Sequence, residues 1–245
     1  MNTCYAVLID GGFAKRKLGT APNPATAETF DELVKRIAGS PELEAIRLHR
    51  VYYYDSMPLE ASAEKPLEGG SLEFGKQEIV GRSKKLFSLL SRLPMFAVRL
   101  GELSFNGWTV NNRRLDRAQG KQLTISAEDL KPAITQKGVD MRIGMDIAAL
   151  SLKKQVQIIV LVTGDSDFVP CMKFARREGT QLYLVHLGHR VKDSMYEHSD
   201  RVIEIDPRPL QEISKVVRQT AEQQARAEAQ AEAEAEEVLA NLEKE

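Results

Sequence analysis

Two carboxylates, Asp165 and Asp167, follow directly on the apolar run Val156–Val162 and the pair Thr163-Gly164, and an amphipathic stretch begins at Phe168. Acids at the carboxyl end of a buried strand stand where an open parallel α/β sheet does its chemistry. A second acid so placed is Asp10, which ends the apolar run Tyr5–Ile9 and precedes Gly11-Gly12, where the backbone turns tightly and admits a ligand. A third is Asp140, ahead of the helical pattern Met141, Met145, Ala148, Ala149, Leu152. That helix runs through a short connection into the strand at 157, so its start lies level with the strand's end and brings Asp140 near Asp165. Asp146 falls about 9 Å further down the helix and roughly 120° around it. It is expected to support the site and not to line it.

Asp10, Asp140, Asp165 and Asp167 are thus expected at one rim. Two carboxylates about 4 Å apart repel by about 4 kcal/mol at an effective dielectric of about 20. A bound cation or a shared proton must relieve that. Oxygen donors without His or Cys select Mg²⁺ or Mn²⁺ over zinc. Such an ion lowers the pKa of a water, aligns it and stabilises a leaving oxygen, which is the chemistry of phosphodiester hydrolysis. Each acid also has a plainer use, Asp10 in a turn, Asp140 as a helix cap and Asp167 in a first helical turn. Independent caps need not share one rim, so their convergence favours the metal.

Cations border the acids. Lys15, Arg16 and Lys17 follow Asp10, and Lys137 precedes Asp140. They suit phosphates on either side of a scissile bond, with Lys137 also placed to stabilise transition-state charge. Arg113 and Arg114, with Arg117, Lys121 and Trp108, make a basic segment with an aromatic that suits single-stranded nucleic acid. Ser166 is a hydrogen-bond donor to phosphate or an ordinary cap. The histidines have no companion acid and nucleophile pattern and are given no catalytic role.

The elements that must position these residues alternate along the chain. Strand-like runs lie at 5–9, 48–54, 96–100, 157–162, 182–187 and 202–205, and helical patterns at 27–38, 79–93, 140–152, 168–178 and 192–198. Alternation of this kind predicts βαβ units and a parallel sheet with helices on both faces. Residues 101–137 break the rhythm and read as an inserted hairpin, with strands at 108–110 and 123–125. Residues 208–245 are an Ala/Glu-rich helical or disordered tail, separate from a domain at 1–207. Its apolar ends, Ile213, Val216 and Val217, then Val238, Leu239 and Leu242, offer a place for self-association or a protein partner.

The 245 residues carry 34 basic and 35 acidic side chains. The tail is acidic, near −4, which leaves the remainder about +3 and permits a nucleic-acid partner. Cys4 and Cys171, the only two cysteines, and the four histidines form no disulfide or zinc pattern. A reducing cytoplasm fits this usage. The run from Cys4 to Ile9 lacks a basic leader and ends on Asp10, as suits a strand and not a signal peptide. No segment is long enough to span a bilayer.

Leu8-Ile9-Asp10-Gly11-Gly12-Phe13, Lys137-Gly138-Val139-Asp140 with Asp146 behind it, Thr163-Gly164-Asp165-Ser166-Asp167-Phe168-Val169-Pro170 and Ser199-Asp200-Arg201-Val202-Ile203 resemble the NYN domains of the LabA-like group. The resemblance spans roughly residues 4 to 206. It implies a PIN-like three-layer α/β domain with a central parallel sheet, to which this chain adds the hairpin insert and the C-terminal helical tail. It further implies acids at the carboxyl edge, falling on Asp10, Asp140, Asp146, Asp165 and Asp167, and ribonuclease activity with Mg²⁺ or Mn²⁺. Many relatives carry Asn where this chain has Phe13, so an amide contact there is missing.

The expectation is therefore a metal-dependent endoribonuclease in the cytoplasm. The alternative is a weak or inactive nucleic-acid or protein interaction module on the same scaffold. A haloacid-dehalogenase-like phosphohydrolase would need an acid at Gly12, and no Gly-x-Gly-x-x-Gly follows a strand.

Overall fold

The computed structural model describes residues 3–67, 70–111, 120 and 124–208. The chain divides into two units, Met1–Asp206 and Pro207–Glu245. The expectations for the tail beyond 208, and for Arg113, Arg114, Arg117 and Lys121, lie outside the described residues.

Nine strands and six helices make up the described part of the first unit: β1 Cys4–Asp10, α1 Gly11–Leu18, α2 Ala27–Ala38, β2 Arg47–Met57, β3 Ser62–Glu64, β4 Ser71–Glu73 and α3 Glu78–Leu90. There follow β5 Phe96–Val110, β6 Leu130–Lys137, α4 Val139–Leu152, β7 Ile158–Val162, α5 Val169–Arg177, β8 Gln181–Val185, α6 Asp193–Glu197 and β9 Arg201–Val202. Seven strands form one sheet in the order β6-β5-β2-β1-β7-β8-β9, parallel throughout except where β6 returns antiparallel along β5. Strands β1 and β7 are adjacent at its centre. Both are buried on both faces, which is why they read as unbroken apolar runs.

Side-chain alternation along β1 divides the core in two. Tyr5, Val7 and Ile9 pack with Phe13 of α1, Phe30 and Leu33 of α2, and Phe87 and Leu90 of α3. Ala6 and Leu8 face the other way, onto Val139, Ile143 and Ile147 of α4 and Met172 of α5. The result is a three-layer domain with α1, α2 and α3 on one face and α4 and α5 on the other. Among the described residues no helix is long and apolar enough to cross a membrane.

Three local expectations need correction. The chain does not make a plain turn after Asp10. A two-turn helix, α1, starts there at once, because Asp10 caps it by accepting from the Phe13 N–H. The strand read at 96–100 runs on without a break to Val110, and its partner is 130–137; of the expected partner 123–125, Thr124 and Ile125 are not in a strand and 123 lies outside the described residues. Gly101, within this strand, marks a close approach, since a Cβ there would sit 2.5 Å from the Lys137 carbonyl oxygen and 2.8 Å from Val139 Cγ2. β2 accompanies β5 only as far as Glu102, so the remainder of β5 pairs with β6 alone as a ribbon beyond the sheet edge. The third correction is the small β3–β4 hairpin, which the sequence did not suggest. It is tied to the ribbon by Trp108, whose Nε1 donates to the Glu64 carbonyl at 3.0 Å, and by Phe74 against Phe105.

Candidate active site

Asp10 ends β1 with both carboxylate oxygens engaged. Oδ1 accepts from the Phe13 N–H at 3.0 Å, and Oδ2 accepts from the Thr163 hydroxyl at 3.1 Å. Thr163 is fully buried just past β7, and its Oγ1 in turn accepts from the Asp165 N–H at 3.2 Å. One hydroxyl thus connects the ends of the two central strands. Burial pushes the Asp10 carboxyl above the usual range; the Phe13 and Thr163 hydrogen bonds and the Arg16 guanidinium pull it back, and Asp140 raises it again.

Beyond Thr163 the chain makes a single turn of 3₁₀ helix over Ser166–Phe168. Asp165 caps that turn, its Oδ1 accepting from the Asp167 N–H at 2.9 Å. Both acids are exposed, and Ser166 is half-buried between them. Asp140 lies in the first turn of α4, whose entry is the left-handed Gly138 with φ of 79°. Its carboxyl is raised first by desolvation and then by Asp165 and Asp167. The four aspartates therefore share one electrostatic neighbourhood, with Asp140 coupled to the other three. They do not close into a ready-made cage: among the described residues, no three His, Cys, Asp or Glu side chains are grouped tightly enough to hold a metal ion.

Asp146 is engaged by two neighbouring strands. Its Oδ2 accepts from the Tyr54 hydroxyl at 2.8 Å and lies 3.3 Å from Arg99 Nε. Burial, with Asp146 alongside, pushes the Tyr54 phenol upward, so it remains a donor at neutral pH.

The cations do not act as a trio. Successive helical residues point about 100° apart, and each of the three meets a different environment. Lys15 Nζ pairs with Asp55 Oδ2 at 2.5 Å, so the expectation of a lysine free for phosphate is corrected at this position. Asp55 is buried at the end of β2 and also accepts from the Tyr53 hydroxyl at 2.9 Å and the Ser56 N–H at 2.8 Å. Arg16 is exposed and stands in the field of Asp10. Lys17 is half-buried near the end of α1, and Lys137 is exposed at the end of β6.

Two residues at the rim were missed from sequence. Thr163 reads as strand punctuation, and only tertiary placement gives it Asp10 as a partner. His189 sits in the loop after β8 with its ring 5.8 Å from that of Phe13. Both rings close over Gly164, where a Cβ would lie 2.6 Å from His189 Cδ2 and from Phe13 Cε2. The rule that located Asp165 also applies to β8, since β8 is parallel to β7 and ends at the same edge.

A mainly parallel, three-layer domain with aspartates gathered at one strand edge is a PIN-like α/β domain. Residues 91–206 match the family model of the NYN domain, a family of the PIN-like nuclease superfamily. The match takes in Asp140, Asp146, Asp165 and Asp167; Asp10 lies outside it and reaches the site through Thr163. No curated protein matches the chain. Among solved structures it is similar to a protein of unknown function from Vibrio parahaemolyticus RIMD 2210633, at 12% identity over 84% of this chain and 94% of that one, with a TM-score of 0.48. The match to the NYN domain points to a nuclease-like, RNA-related function.

Proposed function

We propose that the protein is a Mg²⁺- or Mn²⁺-dependent endoribonuclease whose centre is the rim formed by Asp10, Asp140, Asp165 and Asp167. The observation that supports this most is geometric: the buried Thr163 hydroxyl ties Asp10 at the end of β1 to the Asp165 N–H past β7, while burial raises both Asp10 and Asp140, the latter also facing the charges of Asp165 and Asp167. Among the described residues, Asp10 accepts hydrogen bonds from the Phe13 N–H and the Thr163 hydroxyl alone, with Arg16 as its nearby cation. An all-carboxylate donor set with surplus negative charge fits a hard divalent ion.

When bound, the ion would supply Lewis acidity toward the phosphate and an acidified water. The chain's own residues supply position. The Thr163 hydroxyl and the Phe13 N–H hold Asp10 in one rotamer, and the Asp167 N–H holds Asp165. Arg16 and Lys137 border the acids as cations for the phosphates on either side. Asp146, fixed by Tyr54 and Arg99, steadies the middle of α4 against β2 and β5.

Cleavage of varied single-stranded RNAs with Mn²⁺ or Mg²⁺, and its loss in Asp165→Asn and Asp167→Asn variants that keep the wild-type circular dichroism, tests this reading. No cleavage with either metal, or equal cleavage by the Asn variants, would sink it. A second reading, a binding module without turnover, is favoured by the absence of a closed cluster of ligands among the described residues. RNA binding unchanged by chelator, with no cleavage, would support that one.

A further inference from the structure

Beside the acidic rim, on the face of the sheet that carries α1, α2 and α3, lies a cleft of about 790 Å³ between the end of α1, the loop to α2 and the exposed side of α3. Its floor is apolar, built from Pro24, Ala25, Leu86 and Leu89. Ile79 stands at the opening with 59% of its surface exposed, a large aliphatic side chain with no cover. The cations around it are Lys15, Arg16, Arg82 and Lys85, and the one acid in the lining is Glu28. Lys15 is occupied by Asp55, and Arg82 Nε lies 3.5 Å from Glu78 Oε1. Arg16 and Lys85 make no ion pair within 4 Å among the described residues, although Lys85 stands in the field of Glu28. The volume falls within the range of sites for compact organic ligands. Apolar floor and cationic border together select an occupant that has a flat, weakly polar part and a negative one.

Arg16 fixes where that occupant must come from. It lines the cleft, and its other neighbour is the rim: a Cβ on Gly12 would stand 3.9 Å from Arg16 Nη1 and 3.4 Å from Asp10 Oδ1, so one side chain reaches from the cleft to the acids. We propose that the cleft is a nucleotide subsite, taking the base of a single-stranded RNA residue next to the scissile phosphate while Arg16, Arg82 and Lys85 hold the phosphates that flank it. The substrate class rests on the ribonuclease reading; the cleft and its charges do not. Binding here fixes the register of the strand, placing one phosphate at Asp10 when its neighbour's base lies against Ile79 and Leu89. Backbone charge and base contact contribute separately, as they do in other single-strand grooves.

The test uses the full chain and fluorescence anisotropy with a labelled single-stranded RNA of about ten nucleotides, in EDTA so that nothing turns over. Ile79→Glu is expected to weaken binding about tenfold, in line with loss of one base contact. Lys85→Gln is expected to weaken it less and to reduce the slope of log affinity against log salt by about 0.7. Lys173→Gln, on the opposite face, is the control and should change binding by less than about twofold. Ile79, Lys85 and Lys173 are all exposed, so the variants keep their fold, which circular dichroism verifies. Wild-type protein that does not bind the RNA, or Ile79→Glu and Lys85→Gln variants that bind it as the wild type does, would overturn the subsite whether or not RNA is cut. Cleft-dependent binding without cleavage in Mn²⁺ or Mg²⁺ would uphold the subsite and remove the nuclease reading instead.

Discussion

Thr163 donates its hydroxyl hydrogen to Asp10 across the ends of β7 and β1, at 3.1 Å and from a position 153 further along the chain. The same oxygen accepts from the Asp165 N–H, so the two strand-end acids are set by one buried group. Replacing Thr163 by Val keeps shape and volume but removes the link. A hydrogen bond to a charged group contributes about 1.5 to 3 kcal/mol, and urea unfolding at neutral pH should show a loss of that order. The Asp10 carboxyl, which this bond helps to hold down, should move further up, read by the carboxyl carbon resonance in a pH titration.

The same acids should govern stability against pH. Asp140 is raised in the folded protein, so its charged form is disfavoured there relative to the unfolded chain. A group raised on folding contributes stability that is fully present below its unfolded pKa and is lost as pH rises through the folded one. In EDTA, Asp140→Asn should therefore be more stable than wild type at neutral pH, and the difference should shrink as pH falls through the raised folded pKa and be gone below the unfolded value of about 4. Thermal melts at several pH values check this, and an unchanged gap across the range would contradict it.

Much of this site was legible because its acids terminate the two strands whose faces are both buried. β1 and β7 read as uninterrupted apolar runs, and the short link from α4 into β7 placed Asp140 at the same level. What escaped was whatever depended on a partner distant in sequence or on geometry without a side chain. Gly11-Gly12 reads as a turn, yet Asp10 supplies the cap that lets helix begin at Gly11. Gly101 reads as a strand end, yet it is glycine because the Lys137 carbonyl passes too close for a Cβ. Lys15 looks like a phosphate ligand until Asp55, buried at the end of the neighbouring strand, takes it. Pattern locates residues at an edge; it does not say how far apart their oxygens lie, and here the four acids share a field without closing into a cluster.

Asp146 offers a way to separate support from ligation. Asp146→Ala leaves the Tyr54 hydroxyl, in a buried side chain, without its acceptor, at a cost of about 1 to 3 kcal/mol. An ion that binds only the folded state raises the melting temperature by mass action. If Asp146 is a positioning residue, Mn²⁺ should still raise the melting temperature of Asp146→Ala by nearly the wild-type increment, whereas Asp165→Asn should lose most of it. Equal loss in both variants would make Asp146 a ligand.

Gly164, between Thr163 and Asp165, has no room for a side chain. A methyl there meets His189 Cδ2 and Phe13 Cε2, each at 2.6 Å, well inside van der Waals contact. The two rings cannot yield equally. Phe13, on α1, is buried in the core, whereas His189 is exposed on a turn through Leu187 and Gly188, both at positive φ. Gly164→Ala should therefore cost about 1 to 3 kcal/mol, as overpacking does, and displace the loop that carries His189 while α1 stays in place. Adding His189→Ala should recover part of that loss, giving a coupling of about 0.5 kcal/mol or more in a double-mutant cycle. Simple additivity of the two changes would show that Phe13 takes the strain, and Asp10, three residues before it and bonded to its N–H, would then shift with it.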